Sequence, residues 1–246
     1  MTEELNQLIS IVIPTRNEEK RLLRLLRSIK KQNYKNYEIL IADYKSSDKT
    51  LEIARKYGCK IIRVKRRGIA RAKNAAMRRA KGDIVAFIDA DCVLPKRDLL
   101  KNVLTAFKQN QNVVIIQVTP TVNKKEISKS RRRNLFITLN WIERTLLRFF
   151  IAVGAPFFAV CVFCRADTLR KVGKFNPNLH LDEDHEFYLK FGRYGKPLLI
   201  DDEFEESYRR LIKLGLLRTF TKYLSGTISV FLLAKKSYIT HQEAVR

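Results

Sequence analysis

The sequence predicts a doubly wound, mainly parallel α/β sheet. Within its first hundred residues, four short apolar runs alternate with three amphipathic runs. The apolar runs are hydrophobic along their whole length rather than at every second position, as strands covered on both faces are. Proline or glycine closes several of the runs, which sets the element boundaries.

Taken in order, LISIVIP (8–14) reads as a first strand ended by Pro14. NEEKRLLRLLRSIKKQ (17–32) reads as a helix, with Leu22, Leu25, Leu26 and Ile29 at helical spacing. Glu18 and Glu19 stand at its start, where the helix dipole favours acids. YEILIAD (37–43) is the second strand, and KSSDKTLEIARKYG is a loop and helix closed by Gly58. CKIIRVK (59–65) is the third strand, GIARAKNAAMRRAKG (68–82) a helix bounded by glycines, and DIVAFIDAD (83–91) the fourth strand. Parallel strands joined by crossover helices gather ligands at their carboxyl ends.

Composition narrows the function. A chain of 246 residues, 46% hydrophobic and 10% aromatic, can bury a sizeable core. Its net charge of +24 predicts a polyanionic partner: nucleic acid, nucleotide phosphates or an anionic membrane face. The start, MTEELNQLISIVIP, lacks a basic region followed by a long apolar core, so no signal peptide is expected. Cys59, Cys92, Cys161 and Cys164 read as reduced, cytosolic thiols. The lone C-x-x-C of Cys161 and Cys164, with no second pair and no nearby histidine, reads as packed core rather than zinc or redox chemistry.

The strand ends carry the chemistry. Pro14, Thr15, Arg16, Asn17 and Glu18 follow the first strand; Asp43, then Ser46, Ser47 and Asp48, follow the second; Asp89 and Asp91 end the fourth. On an extended chain Asp89 and Asp91 project from one side. The first strand is followed by neither G-x-G-x-x-G nor G-x-x-x-x-G-K-[ST], which disfavours dinucleotide and P-loop sites. Carboxylates gathered at a switch point suit a divalent cation, Mn²⁺ or Mg²⁺, that is completed by substrate phosphates.

The segments SIVIPTRNEE, YEILIADYKSSDKT, GIARAKNAAMRRAKGDIVAFIDAD and GKFNPNLHLDEDHEFYLKFGRYG, in that order, resemble the successive motifs of family 2 glycosyltransferases over roughly residues 8–200. The resemblance implies a GT-A fold and inverting transfer of a sugar from a nucleotide diphosphate sugar to an acceptor. It also implies residue roles. Pro14, Thr15, Asn17 and Glu18 line the nucleoside; Asp43 is the first acid of a base-binding pair; Lys73 and Asn74 match the "RN" of the donor site. Asp89 lies nearer the ribose and Asp91 is the more direct metal ligand. Glu183 and Asp184 match the "ED" pair, whose aspartate is the expected base. His185 and His241 are candidates for a third metal position, each also readable as a lone surface histidine. Tyr44 stands where the family usually carries a second acid, and the Q-x-x-R-W of processive members is absent. On this reading, residues 1–110 form the nucleotide-sugar half, 111–205 the acceptor half with the base, and 206–246 a C-terminal amphipathic helical, membrane-associating segment.

The chemistry fits these roles. Inversion needs a base for the acceptor proton and neutralisation of the leaving diphosphate. The run LDEDHEFYLK (181–190) supplies three consecutive acids ahead of an amphipathic stretch, with Asp182 read as a capping residue.

Basic residues are strongly clustered. Seven Lys or Arg lie between Lys20 and Lys35 and ten between Lys60 and Lys81, without an acid in either run; KKEISKSRRR (124–133) adds six against one Glu. The apolar stretch 134–164 follows, broken by Glu143, Arg144, Arg148, Gly154 and Pro156, which argues against a spanning helix. It reads either as an amphipathic helix in a membrane interface or as a buried core helix, and so does 209–236. The sequence thus points to an enzyme held peripherally at the cytoplasmic face of the cell membrane, with a lipid-linked or glycan acceptor. A nucleic-acid-binding protein would interleave aromatics with its basic residues, and a nucleotidyltransferase would carry a glycine-rich loop after the first strand. Neither feature is present.

Overall fold

The structure, a computed structural model, describes residues 6–123, 127–128, 133–154, 160–179 and 183–207. Its elements in chain order are β1 (Ile9–Thr15), α1 (Glu19–Lys30), β2 (Tyr37–Asp43), α2 (Thr50–Lys56), β3 (Lys60–Arg63), α3 (Ile69–Met77), β4 (Ile84–Ile88) and α4 (Leu99–Gln109). There follow β5 (Val113–Val122), α5 (Arg133–Ala152), β6 (Cys161–Arg165), α6 (Ala166–Val172), α7 (Glu183–Leu189), a 3₁₀ turn (Lys190–Arg193) and β7 (Lys196–Glu206).

The strands form one seven-stranded sheet in the order β3-β2-β1-β4-β6-β5-β7. β3, β2, β1 and β4 pair in parallel, as the crossover helices require. β6 enters antiparallel between β4 and β5, and β7 then pairs parallel with β5. The sheet is therefore mixed and mostly parallel.

Alternation along each strand divides the core between two faces. Ile11, Ile13, Ala86 and Ile88 pack with Leu22, Leu25 and Leu26 of α1 and Leu100 and Leu104 of α4. Val12, Val85 and Phe87 pack with Ala70, Ala72 and Ala76 of α3 and with Phe175, Phe187, Tyr188 and Phe191. Cys161 belongs to the first face and Cys164 to the second, so their thiols cannot share a metal or a bond. All four cysteines are free thiols, as the sequence suggested.

The sequence reading needs correction at three places. Pro14 does not stop the first strand, which runs on to Thr15. The β1–β4 ladder ends at Val12↔Phe87, so the N–H that proline lacks is not needed there. The helix expected over 68–82 is shorter, ending at Met77. Finally, β4 ends at Ile88, and Asp89 and Asp91 lie in the turn that follows rather than on an extended strand. The Cys92 N–H donates to the Asp89 carbonyl at 3.1 Å, closing that turn. Val93, just beyond it, exchanges two backbone hydrogen bonds with Glu205 of β7, at 2.9 and 2.8 Å. Two distant parts of the chain thus fix the acidic turn.

Candidate active site

The carboxyl ends of β1 and β2 are stitched into one floor. Register sets Thr15 opposite Asp43, and the Thr15 hydroxyl donates to the Asp43 carboxylate at 3.1 Å. Asp43, 2% exposed, also accepts from the Ser46 backbone N–H at 3.0 Å and from the Ser46 hydroxyl. Through these bonds this acid, expected to read a base, also shapes the loop that follows it.

Asn17 adopts φ 54°, a left-handed conformation that asparagine tolerates. The turn aims its side-chain oxygen at the Ser47 N–H (2.8 Å), while its own N–H donates to the Ser46 hydroxyl (2.9 Å). The Glu18 N–H donates to the Thr50 hydroxyl (2.8 Å), and its carboxylate pairs with Arg21 (3.3 Å). Pro14 is half-buried at the floor. The Arg16 guanidinium lies 5.3 Å from the centre of the Tyr44 ring, at the position where the family usually carries an acid. Asp48 anchors the loop from behind, accepting from the Glu19 N–H at 3.1 Å and the Thr50 N–H at 3.0 Å. Burial pushes its carboxyl up, but these bonds outweigh burial and lower its pKa.

A second cluster forms where α3 meets α7. Lys73 is 1% exposed, yet its ammonium reaches both Asp184 oxygens, at 2.6 and 2.8 Å. Burial alone would lower its pKa. The Asp184 carboxylate, followed by Asp89, more than offsets burial and raises it. Asp184 retains 25% side-chain exposure, so the pair has a buried cation and an accessible anion. Glu183 beside it is buried, and its pKa is pushed up to about 7, first by desolvation and then by the Asp184 charge, against the pull of Lys73. Asp89 acts on both Lys73 and Glu183, so the acidic turn and the α7 acids share one electrostatic neighbourhood.

Asn74 has a different place. Its amide donates to the Phe175 carbonyl (2.8 Å) and accepts from the Phe175 N–H (2.9 Å), a reciprocal clamp that leaves it 7% exposed. It holds the GKFNPN segment against α3, and the Phe175 ring in turn sits 5.3 Å from the Lys73 ammonium. His185 is not a surface histidine but 4% exposed on the buried side of α7. Asp182 and His241 lie outside the described residues. Phe175, Ser46, Arg16 and Glu205 complete this site. The sequence marks Arg16 and Ser46 as polar residues just after strand ends, whereas Phe175 and Glu205 follow from no strand or helix periodicity.

Asp89 and Asp91, both half-buried in one tight turn, fit a divalent cation held by two carboxylates. Among the described residues no set of three His, Cys, Asp or Glu side chains converges as a complete metal cage would. The donor set therefore suits an ion that completes its coordination with phosphate oxygens.

A family model described as Glycosyl transferase family 2 matches residues 10–172. The chain is 28% identical over 204 residues to the 4,4'-diaponeurosporenoate glycosyltransferase of Staphylococcus haemolyticus, covering 79% of this chain and 54% of that one. It is 29% identical over 129 residues to the poly(ribitol-phosphate) beta-N-acetylglucosaminyltransferase TarS of Staphylococcus aureus, covering 49% of this chain and 22% of that one. The chain thus spans about half the length of the first relative and about a fifth of the second. In fold it resembles the mannosyltransferase PcManGT of Pyrobaculum calidifontis in complex with GDP-Man and Mn²⁺, with a TM-score of 0.64 and 21% identity, covering 82% of this chain and 57% of that one. It also resembles the glucosyl-3-phosphoglycerate synthase of Mycobacterium tuberculosis in complex with Mn²⁺ and UDP, with a TM-score of 0.61 and 18% identity, covering 91% and 82%.

Proposed function

The chain belongs to glycosyl transferase family 2, and on that premise we propose that it moves a sugar, with inversion at the anomeric carbon, from a nucleotide diphosphate sugar to a hydroxyl or phosphate of a lipid-linked acceptor at an anionic membrane surface. The observation that carries this reading is the Lys73–Asp184 pair, an accessible carboxylate fixed by a buried ammonium within electrostatic reach of Asp89.

Each residue then has a task. The loop of Pro14, Thr15, Asn17 and Glu18, rigidified through Asp43 and Ser46, seats the nucleoside, with the Tyr44 ring beside it. Asp89 faces the ribose, and Asp91 with Asp89 would hold Mn²⁺ or Mg²⁺. When bound, the ion supplies Lewis-acid neutralisation of the leaving diphosphate. Asp184 takes the acceptor proton as the acceptor oxygen attacks the anomeric carbon from the face opposite the leaving group. Lys73 keeps that carboxylate aimed, and Asn74 holds the segment that carries Phe175 against the same helix. The complexes of two structural neighbours with Mn²⁺ and a guanosine or uridine diphosphate species support the donor class. The charge of +24 supports work at the cytoplasmic, anionic face of a membrane.

The test is incubation of the full chain with a panel of UDP- and GDP-sugars, Mn²⁺ and extracted membrane lipid, reading nucleoside diphosphate release and the anomeric configuration of the product. Release that needs the metal and the lipid, with a product anomer opposite to that of the donor, is expected. Full release in excess EDTA, or a retained anomer, contradicts the reading.

A further inference from the structure

Helix α5 carries apolar residues both on the side packed against the sheet and on the side away from it. Phe136, Asn140, Leu147 and Phe150 are buried. Leu147 and Phe150 pack with Leu199 of β7, and the Asn140 amide donates to the Pro120 carbonyl of β5 at 3.3 Å. Ile137, Trp141, Ile142, Leu146, Phe149 and Val153, however, remain 41–66% exposed. At about 100° per residue all six fall within one half of the helix circumference. At the edge of this half Arg144 pairs with Glu203 (3.0 Å), and the exposed Arg148 pairs with the exposed Asp201 (3.2 Å). Single exposed apolar residues are ordinary, but six on one half of a helix, interrupted there by polar residues such as Thr138 and Thr145, mark an interaction surface.

Charge identifies the occupant. The run 124–133, six basic residues against one acid, immediately precedes this helix, on a chain of net charge +24. A second copy would bring the same excess to the same surface and be repelled, whereas an anionic leaflet is attracted. The orientation agrees. Arg144 meets Glu203 while Arg148 meets Asp201, so α5 runs antiparallel to β7 and begins at the carboxyl edge of the sheet. At that edge the Asn123 amide donates to the Glu205 carboxylate at 2.7 Å, and Glu205 pairs with Val93, two residues beyond Asp91. Asn123, the last described residue before the basic run, therefore stands on the β7 residue that pins the acidic turn. No helix among the described residues is long and apolar enough to cross a membrane, so contact of α5 with a bilayer would run along its surface rather than through it.

We propose that the outer half of α5 is the seat of the protein on an anionic lipid bilayer, its Trp141–Phe149 face entering the interfacial zone and the net positive charge of the chain drawing it there. This deepens the membrane reading above and rests on it. Bound this way, α5 and the strands it packs on lie along the bilayer, and the crevice edge opens beside the leaflet that holds a lipid-linked acceptor.

Trp141 is the sole tryptophan of the chain, so its emission reports on this face alone. The full chain is titrated with vesicles of phosphatidylcholine, with and without phosphatidylglycerol, and with acyl chains brominated or not. A blue shift and bromine quenching with the anionic vesicles only, with the quenching persisting for the protein still bound at high salt, are expected. The double variant Ile142→Ser, Phe149→Ser should weaken partitioning by about tenfold or more, with Mn²⁺-dependent protection by nucleotide diphosphates unchanged. Vesicle binding that leaves Trp141 unshifted and unquenched overturns the seat, because charge alone then holds the protein. Emission already blue-shifted without lipid also overturns it, since the face is then covered by protein, either a second copy or residues 208–246. Failed quenching with intact nucleotide protection refutes the seat and spares the transferase. Intact quenching with no protection by any nucleotide supports the seat and refutes the transferase.

Discussion

A lysine ammonium almost wholly removed from water persists only where carboxylates surround it, and Lys73 meets that condition through Asp184 at 2.6 Å with Asp89 and Glu183 close by. Lys73→Met removes the cation while keeping most of the volume. It should cost about 3 kcal/mol of stability, because Asp184 is left beside the other acids without its partner; urea denaturation measures this. Asp184→Asn keeps the shape and removes the base, so kcat should fall by about 10²–10⁴-fold with donor affinity near normal. Steady-state kinetics with a donor-binding assay separates the two quantities. Glu183 gives a pH signature. Its folded pKa of about 7 lies above the ordinary 4.5. Between those values the folded state keeps a proton that the unfolded state has released, so stability falls as pH rises through that window. Glu183→Gln should flatten this slope and raise the melting temperature at pH 8 relative to the parent; thermal scans from pH 4 to 8 read it. The four acids at 89, 91, 183 and 184 were legible as chemistry because charge at a strand end or helix start needs a reason. The partnership of Lys73 with Asp184 was not, since 111 residues separate them and no local pattern records the contact.

Elements were legible where periodicity was strong. The Leu22, Leu25, Leu26 and Ile29 stripe of α1 is buried as its spacing predicted, and the four apolar strands of the first hundred residues all pair in one sheet. What escaped the sequence were features decided by pairing. Pro14 continues β1 because its neighbour β4 has already stopped pairing, and the D-x-D leaves the strand because its turn is pinned to β7 through Val93 and Glu205. Gly82 shows the same dependence on a distant neighbour. A Cβ there would stand 2.6 Å from the Leu8 carbonyl oxygen and the Ser10 nitrogen, both backbone atoms that cannot swing away. Gly82→Ala should therefore force β4 off β1 and destabilise the protein by about 1–3 kcal/mol, read as a lower denaturation midpoint. For α5 the sequence left two readings open, an interface helix or a core helix. The helix has a buried face on β5 and β7 and an exposed apolar face opposite.

At the scale of the whole molecule, sheet order does what no single motif could. Placing β1 between β2 and β4 brings the loop after Thr15, the Asp43 turn and the Asp89–Asp91 turn to one edge. The returning strands β6, β5 and β7 then bring α7 and its acids into electrostatic contact with that edge. The net charge acts at this scale too. The basic residues of the run between Lys60 and Lys81 are mostly exposed, and Lys73 alone among them is buried to work inside the protein. The central claim is that this edge is a metal-dependent site for a nucleotide diphosphate sugar. Titration calorimetry of UDP and GDP into the parent chain and into Asp91→Asn, each with and without Mn²⁺, tests it most directly. The account predicts that at least one nucleotide binds the parent only with Mn²⁺, and that Asp91→Asn loses this binding while melting at the parent temperature. Equal nucleotide affinity in the parent and in Asp91→Asn, or affinity indifferent to Mn²⁺, would contradict it.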